Sequence, residues 1–359
     1  LDRVIEAYHG RKRPFSNPVL HGFMNVVLSA ITIGSGGSAG PEAPTGNFGG
    51  GLSYFIAERL GLSDEDRALA MMVGAGAALG AIFKAPIGGA LLAAELPYRR
   101  DIEVKALYPA AIASAVAYAL FCLVTGFKPY LGQVVTVVPI RSIPLYAVLG
   151  LVDGAVAIAY IESLDLFGRL FSRLRVGDIV KAVIGGLLVG LIGLVAPQVL
   201  SSGEGWIDPA VYTRLGAFAS PVLPLIIFLA LLPIVKILST SITLGSGEVG
   251  GVFAPGIVIG AFTGLDMGLL LHHLFPNLAP NVAPFVIVSA LAMFGAASNA
   301  PLAVMAVVLE MASNYQLLPE AAVASAIAYL VTAWRFTIFK SQVPTRSSVK
   351  RTTTKQPGL

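Results

Sequence analysis

Long apolar stretches alternate with short polar segments along the whole chain. A stretch of about 20 apolar residues can cross a bilayer as a helix. The run over residues 143–162 is interrupted by Asp153, which we place at the membrane interface, and a charged connector follows over residues 160–181. The stretches that contain no charged residue and are long enough to span are 106–127, 182–202 and 217–235. The pattern therefore predicts an all-α polytopic membrane protein.

Shorter apolar runs lie between glycine and proline residues. Such interruptions fit re-entrant and tilted helices better than a simple bundle of spanning helices. The polar segment 203–215 is predicted to be an external or re-entrant loop. The shorter runs cover residues 19–33, 68–82 and 256–271, and two longer helix-like runs cover residues 283–309 and 317–336.

Composition supports the membrane class. Of 359 residues, 56% are hydrophobic and 12% are charged, and the mean hydropathy is +0.80, whereas about a quarter of residues are charged in soluble domains. The single cysteine, Cys122, excludes a disulfide within the chain. The net charge of +4 is concentrated at residues 11–13 and in a predicted basic tail over 340–359. We interpret both as cytoplasmic flanks of a protein of the inner or plasma membrane, not as a nucleic-acid site.

A glycine- and proline-rich segment over residues 34–48 contains one acid, Glu42. An ionisable residue at membrane depth is costly, so it indicates function. Glycine-rich backbone is tolerated at that depth where it lines a cavity, and a helix start offers unpaired N–H groups to an anion. The segment therefore predicts an anion site with a carboxylate beside it. The alternative is that Glu42 is a helix N-cap that only satisfies amides.

The same landmarks occur twice along the chain. Glycine segments recur 211 positions apart, and an Ala-Pro break followed by a helix that ends in Glu95 recurs with Glu310. Paired, interrupted apolar segments indicate a transport site between inverted repeats. We therefore divide the chain into a first half, 1–175, and a second half, 176–339. The repeated glycine-segment positions are Gly34, Ser35, Gly36, Gly40 and Pro44, and Gly245, Ser246, Gly247, Gly250, Gly251 and Pro255.

These motifs resemble those of the CLC family of chloride channels and chloride/proton antiporters. Residues 40–44, Gly-Pro-Glu-Ala-Pro, are similar to the family's Gly-Arg/Lys-Glu-Gly-Pro, with Pro41 and Ala43 as departures. Residues 245–255 are similar to its Gly-Ser-Gly-x-x-Gly-Gly-x-Phe-x-Pro, and residues 299–315 match its late core helices. The family's first motif, Gly-Ser-Gly-x-Pro, is absent, so we expect Leu1 to follow it and the first helices to be missing.

The resemblance implies a homodimer in which each subunit has its own pore, built from two inverted halves. It implies that Glu42 is the external gating glutamate, which competes with chloride for one site and carries the proton. The implied anion-binding groups are Gly40, the backbone amides of Val252 and Phe253, and Phe339. A carboxylate is itself an anion, so amides that bind chloride also bind ionised Glu42, and protonation releases it.

Two departures bear on proton coupling. The family's tyrosine in the last helix, whose hydroxyl touches the anion, is matched by Phe339, which can gate sterically but cannot donate a hydrogen bond. The antiporters' internal glutamate is matched by Leu96, with Glu95 as the neighbouring acid. Either the proton path differs here, or the protein conducts without strict coupling. Glu95 and Glu310 could serve in proton transfer or could pair with loop amides.

Three other functions each fit part of the pattern. A fluoride/proton antiporter of the same fold is disfavoured because the second motif follows the chloride pattern. A membrane enzyme with Glu42 as general base would need a nucleophile, metal or second acid, and none is spaced to converge on Glu42. A scaffold would not need repeated glycine segments. We expect no metal, because His272 and His273 lack metal-ligand spacing, and no cofactor, with chloride and protons as the transported ions.

Overall fold

The computed structural model describes residues 1–10, 17–131, 138–220, 222–333 and 335–348, so the basic cluster 11–13 and the end of the predicted tail lie outside the described residues. The helices of the described ranges are α1 (Asp2–Tyr8), α2 (Pro18–Gly34), α3 (Glu42–Arg59), α4 (Asp64–Ile82), α5 (Pro86–Glu95), α6 (Val104–Thr125), α7 (Ile143–Arg173), α8 (Asp178–Val195), α9 (Ile207–Val211), α10 (Leu225–Gly245), α11 (Phe253–Leu274), α12 (Ala283–Ser298), α13 (Pro301–Met311) and α14 (Leu318–Thr332). These ranges contain no strand, only two isolated bridges.

Among the described residues, five helices are long and apolar enough to cross a membrane, namely α6, α7, α8, α10 and α11. Two predicted boundaries are wrong. Helix α7 continues to Arg173, so the charged connector is helical over residues 160–173, because its charged side chains extend from the helix without interrupting the backbone hydrogen bonds. The run 217–235 is also misplaced, because α10 begins only after Pro224 and continues through Lys236 to Gly245.

Asp153, which the interruption of its apolar run placed at the membrane interface, is enclosed by other helices. Its side chain is completely buried, and the Ser289 hydroxyl donates a hydrogen bond to its Oδ1. The cause is packing: a Cβ placed on Gly154 would meet Val331 of α14, so this face of α7 lies against other helices. The hydrophobic pattern of one helix does not reveal such a neighbour.

The two glycine segments are hydrogen-bonded to each other. Gly40 N–H donates to the Gly251 carbonyl at 2.9 Å, and Gly251 N–H donates to the Gly40 carbonyl at 2.6 Å. Helix α3 begins two residues after Gly40, and α11 begins two residues after Gly251. The first turns of α3 and α11 therefore start side by side in the middle of the structure.

Backbone geometry repeats between the two glycine segments. Gly36 and Gly247 both have φ of +99°, a conformation that side chains with a Cβ rarely adopt. The predicted Ala-Pro breaks are confirmed, since α4 and α5 are separated at Lys84 (φ +53°) and α12 and α13 at Asn299 (φ +52°). The repeated sequence landmarks thus correspond to repeated turns.

Helices α5 and α13 cap each other reciprocally. Glu95, the last residue of α5, accepts hydrogen bonds from Ala303 N–H at 2.7 Å and Leu302 N–H at 3.4 Å, in the first turn of α13. Glu310, near the end of α13, accepts from Gly88 N–H at 2.8 Å and Ile87 N–H at 3.2 Å, in the first turn of α5. A carboxylate at a helix N-terminus satisfies unpaired donors and complements the helix dipole. Both acids therefore pair with amides.

We expect Glu310→Ala to lower the midpoint of thermal unfolding in detergent by roughly 2–6 °C, because two charge-assisted hydrogen bonds worth about 1–3 kcal/mol are lost. The matched control is Glu58→Ala, which truncates an exposed glutamate near the end of α3. Equal midpoints for the two variants would contradict the capping role.

Candidate anion-binding site

Glu42 stands at the start of α3, but its carboxylate reaches the start of α11. The side chain is 0% exposed, and Oε1 accepts a hydrogen bond from Ala254 N–H at 2.8 Å. Pro41, the N-cap residue of α3, makes no side-chain capping bond. The N-terminus of α11 carries partial positive charge and unpaired N–H groups, which favour an anion. The Glu42 carboxylate therefore satisfies an amide in the first turn of the opposite helix, α11.

Two glycines leave room for this carboxylate. A Cβ built on Gly40 or on Gly251 would overlap an oxygen of Glu42. The Cβ on Gly251 would also lie 3.0 Å from both Ala43 N and the Gly40 carbonyl oxygen. The carboxylate is thus enclosed by backbone on two sides, and its Oε2 makes no hydrogen bond in the described part of the chain.

The predicted anion-binding residues of the second segment, Val252 and Phe253, lie at the start of α11. Val252 is the N-cap residue of α11, and its carbonyl accepts a hydrogen bond from the Tyr160 hydroxyl at 3.0 Å. The Phe253 ring is 1% exposed and packs against Phe83 and Phe294, with centroid distances of 4.7 and 4.3 Å. Because its ring is fixed in this aromatic cluster, Phe253 can offer only its backbone to an anion.

A cavity of about 500 Å³ adjoins this point. It is lined by Ala43 and Pro44 from the first turn of α3, by Gly250 and Val252 before α11, and by Phe339. The Phe339 ring, which is 3% exposed, thus lies beside the same cavity as the starts of both helices. The structure places Gly40 against the Glu42 carboxylate and Phe339 beside Val252 on the cavity. The amide that binds the carboxylate is that of Ala254, one residue beyond the predicted Val252 and Phe253.

The remaining motif residues form the ends of the preceding helices. Gly34 and Gly245 are the last residues of α2 and α10. The Ser35 hydroxyl donates to the Thr32 carbonyl at 3.0 Å, and the Ser246 hydroxyl donates to the Thr243 carbonyl at 2.7 Å. Each hydroxyl satisfies a carbonyl that the helix end leaves unpaired. Ser35 and Ser246 therefore help to terminate α2 and α10. Pro44 and Pro255 lie in the first turns of α3 and α11, where proline is tolerated.

Sequence reasoning missed Lys236. It lies in α10 and is completely buried, and its ammonium group interacts electrostatically with Glu204 and Glu42. A charged residue inside an apolar helix was the signal that could have indicated it. The charge-free run 217–235 ends one position before this lysine, so the predicted helix did not include it.

A family model described as voltage gated chloride channel matches residues 1–333. The H(+)/Cl(-) exchange transporter ClcA of Yersinia pestis is 32% identical over 295 residues, which cover 80% of this chain and 60% of the relative. An uncharacterised protein of Methanocaldococcus jannaschii is 29% identical over 341 residues, or 95% of this chain and 80% of that protein. The chain therefore spans about three fifths of the length of the ClcA exchanger that it matches.

Solved structures share the fold. A slow cyanobacterial Cl-/H+ antiporter matches with a TM-score of 0.75 and 24% identity, covering 98% of this chain and 85% of that one. A CLC-type fluoride/proton antiporter matches with a TM-score of 0.79 and 21% identity, covering 96% of this chain and 82% of that one. At these identities the similarity concerns the fold alone. It confirms the predicted all-α membrane architecture.

Proposed function

The chain belongs to the voltage gated chloride channel family, and from that premise we propose that it is a transporter that exchanges chloride for protons at Glu42. It is a polytopic integral membrane protein. The observation that carries the proposal is the hydrogen bond from Ala254 N–H to the buried Glu42 carboxylate. A backbone amide at a helix N-terminus that binds a carboxylate can equally bind chloride, so the two anions compete.

Protonation of Glu42 provides the coupling in this proposal. A neutral carboxylic acid loses most of its attraction to the α11 N-terminus, because the helix dipole favours negative charge. The freed position is open to chloride from the cavity that Phe339 lines. Return of ionised Glu42 expels the chloride. Protons and chloride are thus exchanged at the same site, the position of the Glu42 carboxylate.

The proton route beyond Glu42 must differ from one that uses an acid at position 96. Leu96 is an apolar residue with 1% exposure, and it cannot carry a proton. Its neighbour Glu95 lines a second cavity of about 390 Å³, together with Arg99 and Asn299. Glu95 is therefore the acid next to position 96 that water in this cavity could reach. If chloride and proton transport are strictly coupled, Glu95 is the candidate to relay the proton.

We extend the proposal to two inverted halves, residues 1–175 and 176–339, that are paired across the glycine segments. The matching φ values at Gly36 and Gly247 and the reciprocal caps of Glu95 and Glu310 support this division. We also propose a homodimer with one pore in each subunit, as the family resemblance implies.

The relatives' names favour transport over enzymatic activity, since ClcA is an exchange transporter. The described residues contain no group of three His, Cys, Asp or Glu side chains that could hold a metal. Fluoride/proton exchange is the second candidate, because one of the similar structures is a fluoride/proton antiporter. The second glycine segment, residues 245–255, follows the chloride pattern, so chloride stays the first candidate and fluoride the second.

The test is simultaneous measurement of chloride efflux and proton uptake in liposomes that contain the full-length protein, with valinomycin and potassium fixing the voltage. We expect a chloride gradient to drive protons uphill. Chloride flux without proton movement would contradict exchange and indicate a channel. Repeating the assay with fluoride inside tests the second candidate, since a fluoride exporter would move fluoride in preference to chloride.

We expect Phe339→Tyr to tighten chloride binding about threefold to tenfold, because a hydroxyl added to a ring beside the cavity can donate a hydrogen bond to the anion. Titration calorimetry with chloride measures the change. The matched control is Phe336→Tyr, the same substitution at a half-buried position that does not line this cavity. Unchanged affinity in Phe339→Tyr would show that this ring does not reach the anion.

A further inference from the structure

The cavity of about 390 Å³ beside Glu95 lies at a membrane surface. Its lining includes Ile102, two residues before the start of α6, one of the helices that can span the bilayer. Leu302, which also lines the cavity, is 47% exposed, and Leu330, the neighbour of the lining residue Tyr329, is 64% exposed. The cavity therefore lies where the polar segment between α5 and α6 meets exposed apolar side chains, which is the arrangement of a membrane interface.

Arg99 brings a fixed but unpaired donor to this cavity. Its backbone N–H donates to the Val343 carbonyl at 2.9 Å, and its carbonyl accepts a hydrogen bond from the Tyr329 hydroxyl at 2.7 Å. The Nε atom of its guanidinium is buried, yet within the described residues it has no hydrogen-bond partner. A buried N–H of a charged group that lacks an acceptor is costly. This donor therefore requires an acceptor that enters the cavity.

Asn299 brings the complementary acceptor to the same cavity. Its side chain is 2% exposed, and its Nδ2 donates to the Phe336 carbonyl at 3.2 Å. Because a carbonyl can only accept, the amide nitrogen must face Phe336 and Oδ1 must face away. In the described part of the chain no donor reaches this Oδ1. Arg99 and Asn299 thus line one cavity with one unpaired donor and one unpaired acceptor.

The charged side chains that line the cavity balance one another. They are two arginines, Arg99 and Arg100, and two acids, Glu95 and Asp101. Both acids already accept hydrogen bonds from backbone, Glu95 from the first turn of α13 and Asp101 from two N–H groups at 2.9 Å each. A ligand with a single net charge would leave that charge uncompensated in a partly enclosed site. A zwitterion would keep the balance.

We propose that this cavity binds the headgroup of a phospholipid that carries a phosphate and a primary ammonium, the phosphoethanolamine group. A phosphate oxygen accepts the hydrogen bond from Arg99 Nε, and an ammonium N–H donates to Asn299 Oδ1. The acyl chains lie against the exposed Leu302 and Leu330. A choline headgroup has the same charges but no N–H donor, and a glycerol headgroup has hydroxyl donors but a net negative charge. Each of these lacks one of the required properties.

Native mass spectrometry of the full-length protein in detergent, titrated with dioleoyl lipids, measures the affinity for each headgroup whatever ion the protein transports. We expect one phosphatidylethanolamine per chain to bind about tenfold more tightly than phosphatidylcholine, because only the former donates a hydrogen bond to Asn299. It should also bind more tightly than phosphatidylglycerol. Equal affinities for the three lipids would overturn the inference, even if water-soluble phosphoethanolamine bound. A preference for phosphatidylglycerol would overturn it too, since the site would then select net negative charge.

Arg99→Gln tests the phosphate contact. We expect it to weaken the binding of phosphatidylethanolamine and phosphatidylcholine alike, about tenfold, because both contain the phosphate. The matched control is Arg67→Gln. Arg67 belongs to α4, whose first turn reaches the same membrane surface, since Glu65 pairs with Lys105 at the start of α6 at 2.8 Å. Arg67 does not line this cavity, so equal losses in the two variants would reduce the effect to general surface charge and refute the site.

Asn299→Gly and Asn299→Asp together test the acceptor. Both lose the hydrogen bond to Phe336, and both new residues tolerate the φ of +52° at this position. Only glycine lacks an acceptor, so we expect Asn299→Gly to bind the ethanolamine and choline lipids equally and Asn299→Asp to keep the preference. A preference that persists in folded Asn299→Gly would overturn the inference. Should the substituted proteins not fold, the comparison of the three lipids on the unsubstituted protein decides.

Discussion

Glu42→Gln is expected to abolish coupled proton transport, while chloride flux persists or rises. Glutamine has nearly the same shape and can still accept the hydrogen bond from Ala254 N–H, but it carries neither the proton nor the negative charge. Chloride then competes with a neutral amide in place of a carboxylate, and the α11 N-terminus favours the ion. Flux assays in liposomes should show proton movement at the level of empty vesicles. Chloride flux should also lose its dependence on pH.

The control is Glu248→Gln, which neutralises the acid of the second glycine segment. Glu248 lies near Gly37 and accepts a long hydrogen bond from the Ser246 hydroxyl at 3.5 Å, and within the described part of the chain it makes no hydrogen bond to the α11 N-terminus. We expect this variant to retain proton coupling. Persistence of uphill proton transport in Glu42→Gln would exclude Glu42 as the proton carrier.

The existence of the spanning helices could be predicted from hydrophobic length, but their ends could not. The run 106–127 corresponds to α6 within two residues, because Glu103 caps the start of the helix and Gly126, with φ of +77°, follows its end. Helix α7 instead extends beyond its apolar part, and the added turns contain Asp165, which pairs with Lys340. The sequence pattern of one helix does not show such a distant partner, so the charged extension resembled a connector.

The candidate site was predictable as a meeting of two glycine segments, because both the single acid and the repeat are visible in the sequence. The precise donor was not predictable. The spacing indicates the first turn of α11, whereas the rotation of that turn decides that Ala254 N–H donates to Glu42. Lys236 was hidden for another reason. Its compensation comes from carbonyls and acids on other segments, which only the fold brings close.

The second large effect is expected from Gly251→Ala. A Cβ at this position would overlap Oε2 of Glu42, and backbone atoms of Ala43 and Gly40 at 3.0 Å leave it no other space. The carboxylate must then leave the Ala254 amide, or the paired glycine segments must separate. Overpacking of this kind costs about 1–3 kcal/mol, so the midpoint of thermal unfolding should fall by roughly 2–6 °C. Because the displaced carboxylate no longer occupies the anion position, chloride flux should become nearly independent of pH.

A double-mutant cycle distinguishes two clashes of the Cβ that Gly251→Ala introduces, one with the Glu42 carboxylate and one with the backbone of Gly40 and Ala43. In a Glu42→Ala background the carboxylate is gone, so Gly251→Ala should lower the midpoint by clearly less than it does alone, with a coupling of about 1 kcal/mol or more. Gly190→Ala in α8 is the matched control, because a Cβ there meets nothing within 4 Å and should slightly raise stability. If the changes in unfolding free energy from the two substitutions simply added, Gly251 would be needed for the backbone hydrogen bonds with Gly40 and not for the space that the Glu42 carboxylate occupies. The hydrogen bond from Ala254 N–H would then be the interaction that holds the Glu42 carboxylate in place.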